Sequence, residues 1–281
     1  MYKIKQLAKV DINTIIDFIY HLSIDNSTAS YSRMMTREDV ENELVQRMED
    51  SNSNVFSVYN EKILVGVCAY YWLEEDNYIQ TTVFVFSEPT KEALSVSIDL
   101  IKQKRENYRL LIGVPAENKR LSELLDQLGE KIEYSANLMY DKNDVEGSIN
   151  GDTLEVNANN FNTYRDFHDR FALKHDMYWN ADNLLKAIHD FKILYYFSND
   201  DIIASIFYKR GNLHQEIFGL FSDVNDKDVY KLLLNKALMQ VESESKEIAV
   251  TYFVDMDEKL ELTAAIEVGF RVQDTYLCFE L

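Results

Sequence analysis

The chain has 281 residues, and 46% of them are hydrophobic, which is enough to build the cores of one large or two ordinary domains. Its formal net charge of −19 disfavours binding to a nucleic-acid backbone or to an anionic membrane surface. The same charge favours a cationic amine as ligand, although a solvated acidic surface is the simpler explanation.

Two cysteines, Cys68 and Cys278, lie in apolar, strand-like stretches and are interpreted as buried thiols of a reducing compartment. Residues 1–18 carry charges throughout, unlike a secretory signal, and no apolar run is long enough to span a membrane. We therefore predict a cytoplasmic protein without a membrane partner. The sequence leaves its oligomeric state open.

Apolar periodicity predicts alternating strands and helices in residues 1–142. The second helix begins at the capping sequence Thr36-Arg37-Glu38-Asp39, and a hairpin follows it. The predicted strands are 3–7, 55–59, 63–72, 78–86, 109–114 and 132–140, and the predicted helices are 12–23, 36–48, 91–104 and 118–127.

Residues 151–281 repeat this order. The predicted strands are 153–156, 191–197, 202–208, 213–221, 247–254 and one or more in 270–281, and the predicted helices are 161–173, 182–188, 228–241 and 258–266. Asn60 and Asn199 are 139 residues apart, and Gly129 and Gly269 are 140 apart. Such a period indicates a duplicated domain. The polar segment 141–152 is the predicted linker, so we predict domains at 1–142 and 151–281.

The stretch 214–240 combines an apolar strand, a polar turn and a long helix. The helix start faces back over the end of the strand. Unpaired N–H groups and the positive end of the helix dipole make such a start a natural place for a phosphate.

The order of elements resembles the GNAT acyltransferase superfamily. The likeness rests on the hairpin after two helices, on the strand, turn and helix of 214–240, and on the ending Ala264-Ala265-Ile266-Glu267-Val268-Gly269-Phe270. It implies an α/β (α+β) protein with two tandem GNAT-like domains, each a mixed, mostly antiparallel sheet flanked by helices. It also implies acetyl-CoA as cofactor and a small amine as substrate.

In that family acetyl-CoA lies in a gap between the third central strand and the next parallel strand. The resemblance therefore implies a cofactor site formed by Phe218, Leu220, Asn225, Asp228, Val229 and Tyr230, with Asn118 in the first half. The family's glycine-rich turn is missing in both halves, and Asp226 and Asp228 bring negative charge to the second. Alternatively, Asp226, Thr90 and Asn118 are helix N-caps and Asp228 is a first-turn charge.

Acyl transfer to an amine needs a base, and the resemblance assigns that role to Glu216 on the third central strand. Glu216 could equally be an edge or solvent-facing strand residue. The C-terminal carboxylate of Leu281 is a second candidate base. In the family, a tyrosine usually acts as the general acid. Leu125 stands at its position in the first half and Ala265 in the second.

Other constellations point to packing. His168 and His175 are seven residues apart, and without a third ligand we predict no metal site and two surface histidines. Tyr178-Trp179 and Tyr195-Tyr196-Phe197 are interpreted as core aromatics that could also line a pocket. Two hypotheses remain: an acetyl-CoA-dependent N-acetyltransferase acting on a small amine, or a catalytically inactive GNAT-fold protein with a binding or regulatory role.

Overall fold

A computed structural model describes residues 2–8, 12–103, 105–140, 151–198, 201–211, 214–244 and 249–281. The chain divides into two compact units. Unit 1 contains Met1–Tyr134 and Asp274–Leu281, and unit 2 contains Ser135–Gln273. Each unit has one mixed sheet covered by helices, which confirms the predicted fold class.

The elements follow the predicted order. In the first half they are β1 (Tyr2–Gln6), α1 (Ile12–Ser23), α2 (Arg37–Glu49), β2 (Ser53–Asn60), β3 (Ile63–Leu73), β4 (Tyr78–Phe86), α3 (Lys91–Lys102), β5 (Arg109–Pro115), α4 (Lys119–Asp126) and β6 (Glu130–Tyr140). In the second half they are β7 (Leu154–Glu155), α5 (Phe161–Ala172), α6 (Ala181–Lys186), a 3-10 turn (Ile188–Asp190), β8 (Phe191–Ser198), β9 (Asp201–Lys209), β10 (His214–Ser222), α7 (Lys227–Glu244), β11 (Ala249–Asp255), α8 (Lys259–Glu267) and β12 (Phe270–Glu280).

The helices begin where side chains can satisfy their first N–H groups. Thr36 and Asp39 form the predicted capping box of α2, and Thr90 accepts the Ala93 N–H at the start of α3. Asn118 accepts the Leu121 N–H at the start of α4. The N-cap interpretations of these residues are confirmed.

Unit 1 has the strand order β1-β2-β3-β4-β5-β12, and within it only β4 and β5 are parallel. One core lies between the sheet and α1 and α2, and it includes the predicted stripe Ile12, Ile15, Ile16 and Ile19. A second core lies on the other face, beneath α3 and α4.

Unit 2 has the matching order β7-β8-β9-β10-β11-β6, and its parallel pair is β10 with β11. Helices α5 and α6 cover one face of this sheet, and α7 and α8 cover the other. The two units therefore share one architecture, as the duplicated sequence predicts.

The last strand of each unit comes from the other half of the sequence. The C-terminal part of β12 pairs with β5, where Leu277 and Phe279 join the core of unit 1. The C-terminal part of β6 pairs with β11, where Leu138 joins the core of unit 2. The domain limits 1–142 and 151–281 stay a prediction about the duplicated sequence, and most of the linker, 141–150, lies outside the described residues.

In the described part of the chain, no helix combines the length and the apolar character that a membrane crossing requires.

The exchanged strands predict where core damage is felt. Phe279 is 1% exposed and belongs to the core of unit 1, so Phe279→Ala should destabilise unit 1 by about 3–5 kcal/mol. Amide hydrogen exchange should show faster opening in β3, β4 and β5, with β9 and β10 unchanged. Leu138→Ala is the matched control, and it should affect unit 2 instead. Faster opening confined to unit 2 in the Phe279 variant would contradict the exchange.

Candidate functional site

Each unit has a gap between its two parallel strands. Pairing of β4 with β5 ends at Gln80 and Leu111, although both strands continue. Pairing of β10 with β11 ends at Ile217 and Tyr252. A β-bulge lies just beyond each end, at Thr82 in β4 and at Phe218 in β10. The strands therefore separate at equivalent places in the two units.

The gap in unit 1 is filled by the chain itself. The segment Ala29–Ser32, between α1 and α2, lies between the separated strands. The Tyr31 N–H donates to the Gly113 carbonyl of β5 at 2.8 Å, and the Ser32 N–H donates to the Thr82 carbonyl of β4 at 3.0 Å. The Phe84 N–H donates to Ser30 Oγ at 2.9 Å. These bonds use the backbone groups that a ligand in this gap would need.

Asn118 holds that segment in place. Its Nδ2 donates to the Ala29 carbonyl at 2.8 Å, and its Oδ1 caps α4 at 3.3 Å. The side chain is buried, so both ends of the amide serve the protein. Its predicted role at a cofactor is untested and stays a prediction.

Glu216 lies in a central position in unit 2. Its strand β10 is paired on both sides, opposite Lys209 on β9 and Thr251 on β11. The edge-strand alternative is therefore wrong, and the side chain is half-buried. Because Ile217 packs beneath α7 and α8, alternation along the strand directs Glu216 to the face covered by α5 and α6. The matching position in unit 1, two residues before the bulge, is Gln80.

Aromatic rings border the same end of that face. The Trp179 ring, from the segment between α5 and α6, lies 6.0 Å from the ring of the bulge residue Phe218 and 4.6 Å from Phe191. Lys209 Nζ lies 5.7 Å from the Trp179 ring centroid. This distance is that of a cation–π contact between Lys209 and Trp179. Tyr178 beside it is exposed.

His168 is fully buried, so its interpretation as a surface residue is wrong. Its Nε2 donates to the Trp179 carbonyl at 2.6 Å, and its Nδ1 accepts from the Tyr164 hydroxyl at 3.0 Å. Ser205 Oγ donates to that hydroxyl at 3.0 Å. Burial lowers the pKa of His168, which keeps the ring neutral in this chain of bonds. His168 thus holds Trp179 beside Phe218. The seven-residue spacing of His168 and His175 in the sequence does not reveal this role.

In the turn between β10 and α7, a carboxylate of the turn itself accepts a hydrogen bond from a backbone N–H group at the helix start. Asp226 Oδ1 accepts the Asp228 N–H at 2.8 Å, which confirms Asp226 as the N-cap and Asp228 as a first-turn charge. Asn225 and Asp228 are exposed. Lys227, which the sequence-based interpretation overlooked, has its Nζ 2.6 Å from Glu267.

The other predicted cofactor residues divide between the faces of the sheet. Phe218 packs in the core beneath α5 and α6. Leu220, Val229 and Tyr230 pack in the core beneath α7 and α8. Their roles at a cofactor stay predictions.

The predicted base Leu281 lies in unit 1. Its carbonyl oxygen accepts from Lys102 Nζ at 3.0 Å and from the Leu110 N–H at 3.1 Å. Lys102 is therefore the cation beside the end of the chain, and the role of Leu281 as base stays a prediction.

A surface cavity of about 470 Å³ in unit 2 is lined by Asp166, Phe167, Arg170, Asp201, Ile202, Ile203 and Asp223. Arg170 pairs with Asp223 at 2.7 Å within it. Glu216 is not part of this lining. Among the described residues, no group of three or more His, Cys, Asp or Glu side chains is placed to hold a metal ion.

A carboxylic acid with a shifted pKa lies in the first turn of α8. The pKa of Glu261 is raised to about 7, mainly by burial and to a smaller extent by the neighbouring carboxylates of Glu258 and Asp255, while the hydrogen bond from Tyr252 lowers it. Tyr252 is itself buried in the core of unit 2. Glu261 therefore carries a proton over much of the physiological range below pH 7.

This shift predicts a pH dependence of stability. Between pH 4.5 and 7 folded Glu261 keeps a proton that the unfolded chain has lost, so its contribution to stability falls as pH rises. Relative to Glu261→Gln, the wild type should lose up to about 3 kcal/mol of unfolding free energy between pH 4.5 and pH 7.5. Urea unfolding across this range measures the difference, and Glu123→Gln on exposed α4 is the matched control. Equal pH profiles for wild type and Glu261→Gln would contradict the shift.

Solved structures show where this architecture occurs. A tandem GNAT protein from the clavulanic acid biosynthesis pathway matches with a TM-score of 0.61 and 11% identity, over 100% of this chain and 98% of that one. A GCN5-related N-acetyltransferase from Sphaerobacter thermophilus matches with a TM-score of 0.69 and 10% identity, over 100% and 95%. A GNAT-family acetyltransferase from Colwellia psychrerythraea matches with a TM-score of 0.51 and 13% identity, over 99% of each chain.

No protein-family model and no curated protein sequence matches the chain. At identities of 10–13% the structural likeness concerns the fold, and it extends over essentially the whole length of the compared chains. The chain therefore has the fold of a tandem GNAT protein, as the resemblance in its sequence implied.

Proposed function

We propose that this protein is an acetyl-CoA-dependent N-acetyltransferase that acts on a small, cationic amine in unit 2. The observation that carries the proposal is the β10–β11 pair, which separates one residue beyond Glu216 and directly before the bulge at Phe218. A half-buried carboxylate is thus held at the mouth of an interstrand gap. The net charge of −19 favours a positively charged amine.

The two gaps differ in how they suit the cofactor. In unit 1 the residues present do not fit it, because Ala29–Ser32 uses the backbone groups between β4 and β5. In unit 2 the residues fit the extended arm of the cofactor, since β10 runs to Ser222 without pairing to β11 beyond Ile217. Phe218 and Leu220 would line that arm with their backbone atoms.

The diphosphate end would meet the turn before α7. Asn225, Asp228, Val229 and Tyr230 would surround it, and Lys227 is the cation within the turn. Lys227 now pairs with Glu267, but its side chain is 37% exposed and such pairs are weak, so it can turn to a phosphate at little cost. The carboxylate of Asp226 opposes an anion there. We infer a weak hold on the diphosphate.

When bound, acetyl-CoA supplies an acetyl group activated as a thioester. The chain's own task is to remove a proton from the ammonium form of the amine, since only the neutral nitrogen is a nucleophile. Glu216 is placed for that role, directly or through water. The aromatic side chains of Trp179, Phe191 and Phe218 would exclude water beside it and hold the cation.

A second candidate is a GNAT-fold protein that binds a ligand without transferring an acyl group. Three observations favour it. The segment Ala29–Ser32 fills the gap of unit 1, and the carboxylate of Asp226 caps α7. Leu125 and Ala265 are apolar residues at the positions where the family has the tyrosine that acts as general acid. The two candidates differ in whether acetyl-CoA binds at all.

Glu216→Gln tests the base. It should lower acetylation of small cationic amines by about 10²–10⁴-fold, because the amine keeps its proton, and it should leave acetyl-CoA binding unchanged. Thiol release and calorimetry measure the two effects. Gln80→Ala, at the matching position of unit 1, is the control and should leave turnover unchanged. Unchanged turnover in Glu216→Gln would remove Glu216 as base. A wild-type melting temperature insensitive to millimolar acetyl-CoA would leave the second candidate.

Asp226→Asn tests the electrostatics of the turn. Asparagine is an equally good N-cap, so the variant removes the charge and keeps the helix start. Coenzyme A should bind about two- to fivefold more tightly, and the gain should shrink at high salt. Asp182→Asn, in the first turn of α6, is the matched control. Calorimetry with equal affinities for wild type and Asp226→Asn would show that no phosphate lies at this turn.

A further inference from the structure

A row of side chains crosses the sheet of unit 2 at the level of Glu216. The strand register places Lys209 of β9 and Thr251 of β11 directly opposite Glu216, and it places Phe191 of β8 opposite Lys209. Residues directly opposite one another in neighbouring strands point to the same face of a sheet. Because Phe191 packs in the core beneath α5 and α6, the whole row lies on the face that these helices cover.

The ammonium of Lys209 lies on an aromatic ring. Its Nζ is 5.7 Å from the ring centroid of Trp179, and the bond from His168 to the Trp179 carbonyl holds that residue in place. The described residues place no carboxylate in ion-pair contact with Lys209, whose side chain is exposed. An ammonium has three N–H donors, so the contact with the ring leaves donors for an anion.

The other neighbour of Glu216 in the row is polar but uncharged. Thr251 Oγ1 lies 2.9 Å from His214 Nε2, on the same face. Burial lowers the pKa of His214, which keeps its ring neutral near pH 7. The carboxylate of Glu216 therefore has one cation beside it in the row, on the side of β9.

The equivalent row of unit 1 carries no charge. Gln80 of β4, at the position that matches Glu216, lies opposite Tyr71 of β3 and Leu111 of β5. The amide oxygen of Gln80 accepts a hydrogen bond from the Tyr78 hydroxyl of the same strand. The two units share one architecture, so the sheet does not require a lysine opposite a glutamate at this level. Both charges occur together in unit 2 and are both absent from the row in unit 1.

We propose that the amine recognised in unit 2 also carries a carboxylate, as an amino acid does, and that Lys209 binds this carboxylate while Glu216 faces the ammonium. Directly opposite residues of antiparallel strands have Cα atoms about 5 Å apart, so the two side chains start side by side. An α-amino acid carries its two charged groups on one carbon atom and is small enough to meet both. This inference rests on the proposed reaction at Glu216 and names its class of substrate.

Calorimetry on the full chain, with and without coenzyme A, tests the recognition. The probes are the common amino acids, each beside the amine that lacks its carboxylate, from glycine with methylamine to lysine with cadaverine. In the wild type at least one amino acid should bind about tenfold more tightly than its amine, because its carboxylate accepts charged hydrogen bonds from the Lys209 ammonium. Equal binding within every pair, or no binding by any probe, would overturn the inference.

Two variants of Lys209 separate its charge from its bulk. Since the side chain is exposed, Lys209→Met should fold, and it should abolish the preference by weakening the amino acid and not the amine. Lys209→Arg keeps the charge and should keep the preference. Lys186→Met removes a positive charge from exposed α6 and is the matched control. A preference that survives Lys209→Met would overturn the inference.

These measurements read binding, so failure of the proposed reaction gives a different result. An amino acid that binds through Lys209 but is not acetylated when acetyl-CoA is added would contradict acetyl transfer and leave the recognition standing.

Discussion

The structure depends on what becomes of backbone groups where two parallel strands separate. Buried N–H and C=O groups need partners, and a strand that loses its neighbour leaves several of them open. Unit 1 satisfies those groups with its own segment Ala29–Ser32. In unit 2 the corresponding region between α5 and α6 instead packs Trp179 against the bulge residue Phe218. The two units thus share one architecture but differ in what packs beside their separated strands.

Charge is distributed unevenly around the place where β10 and β11 separate in unit 2. The carboxylate of Asp226 offsets the positive end of the α7 dipole. The two lysines at the start of α7, Lys227 and Lys231, are paired with Glu267 on α8. The surroundings of Glu216 are different, with its half-buried carboxylate and the contact between Trp179 and Lys209 on one face. The charge environment at Glu216 therefore differs from that at the start of α7, where Lys227 and Lys231 are both paired.

The exchange of the final strands links the segment Ala29–Ser32 of unit 1 to the second half of the sequence. Asp274 and Tyr276 both lie on β12, and both contact this segment through Tyr31. Leu277 and Phe279 on the same strand complete the core of unit 1. Burial of these apolar residues therefore holds in place the carboxylate of Asp274, which pairs with Arg33.

Local patterns in the sequence determined the element order, the N-caps at Thr36, Thr90, Asn118 and Asp226, and the strand that carries Glu216, because these depend on neighbours within a few residues. The duplication was visible as a repeat of that order at an offset near 140 residues. The tertiary structure alone decided the burial of His168, the strand exchange and the filling of the unit 1 gap. Each of these joins residues far apart in the chain, as Tyr31 and Asp274 are, and neither periodicity nor capping patterns carry information on such pairs.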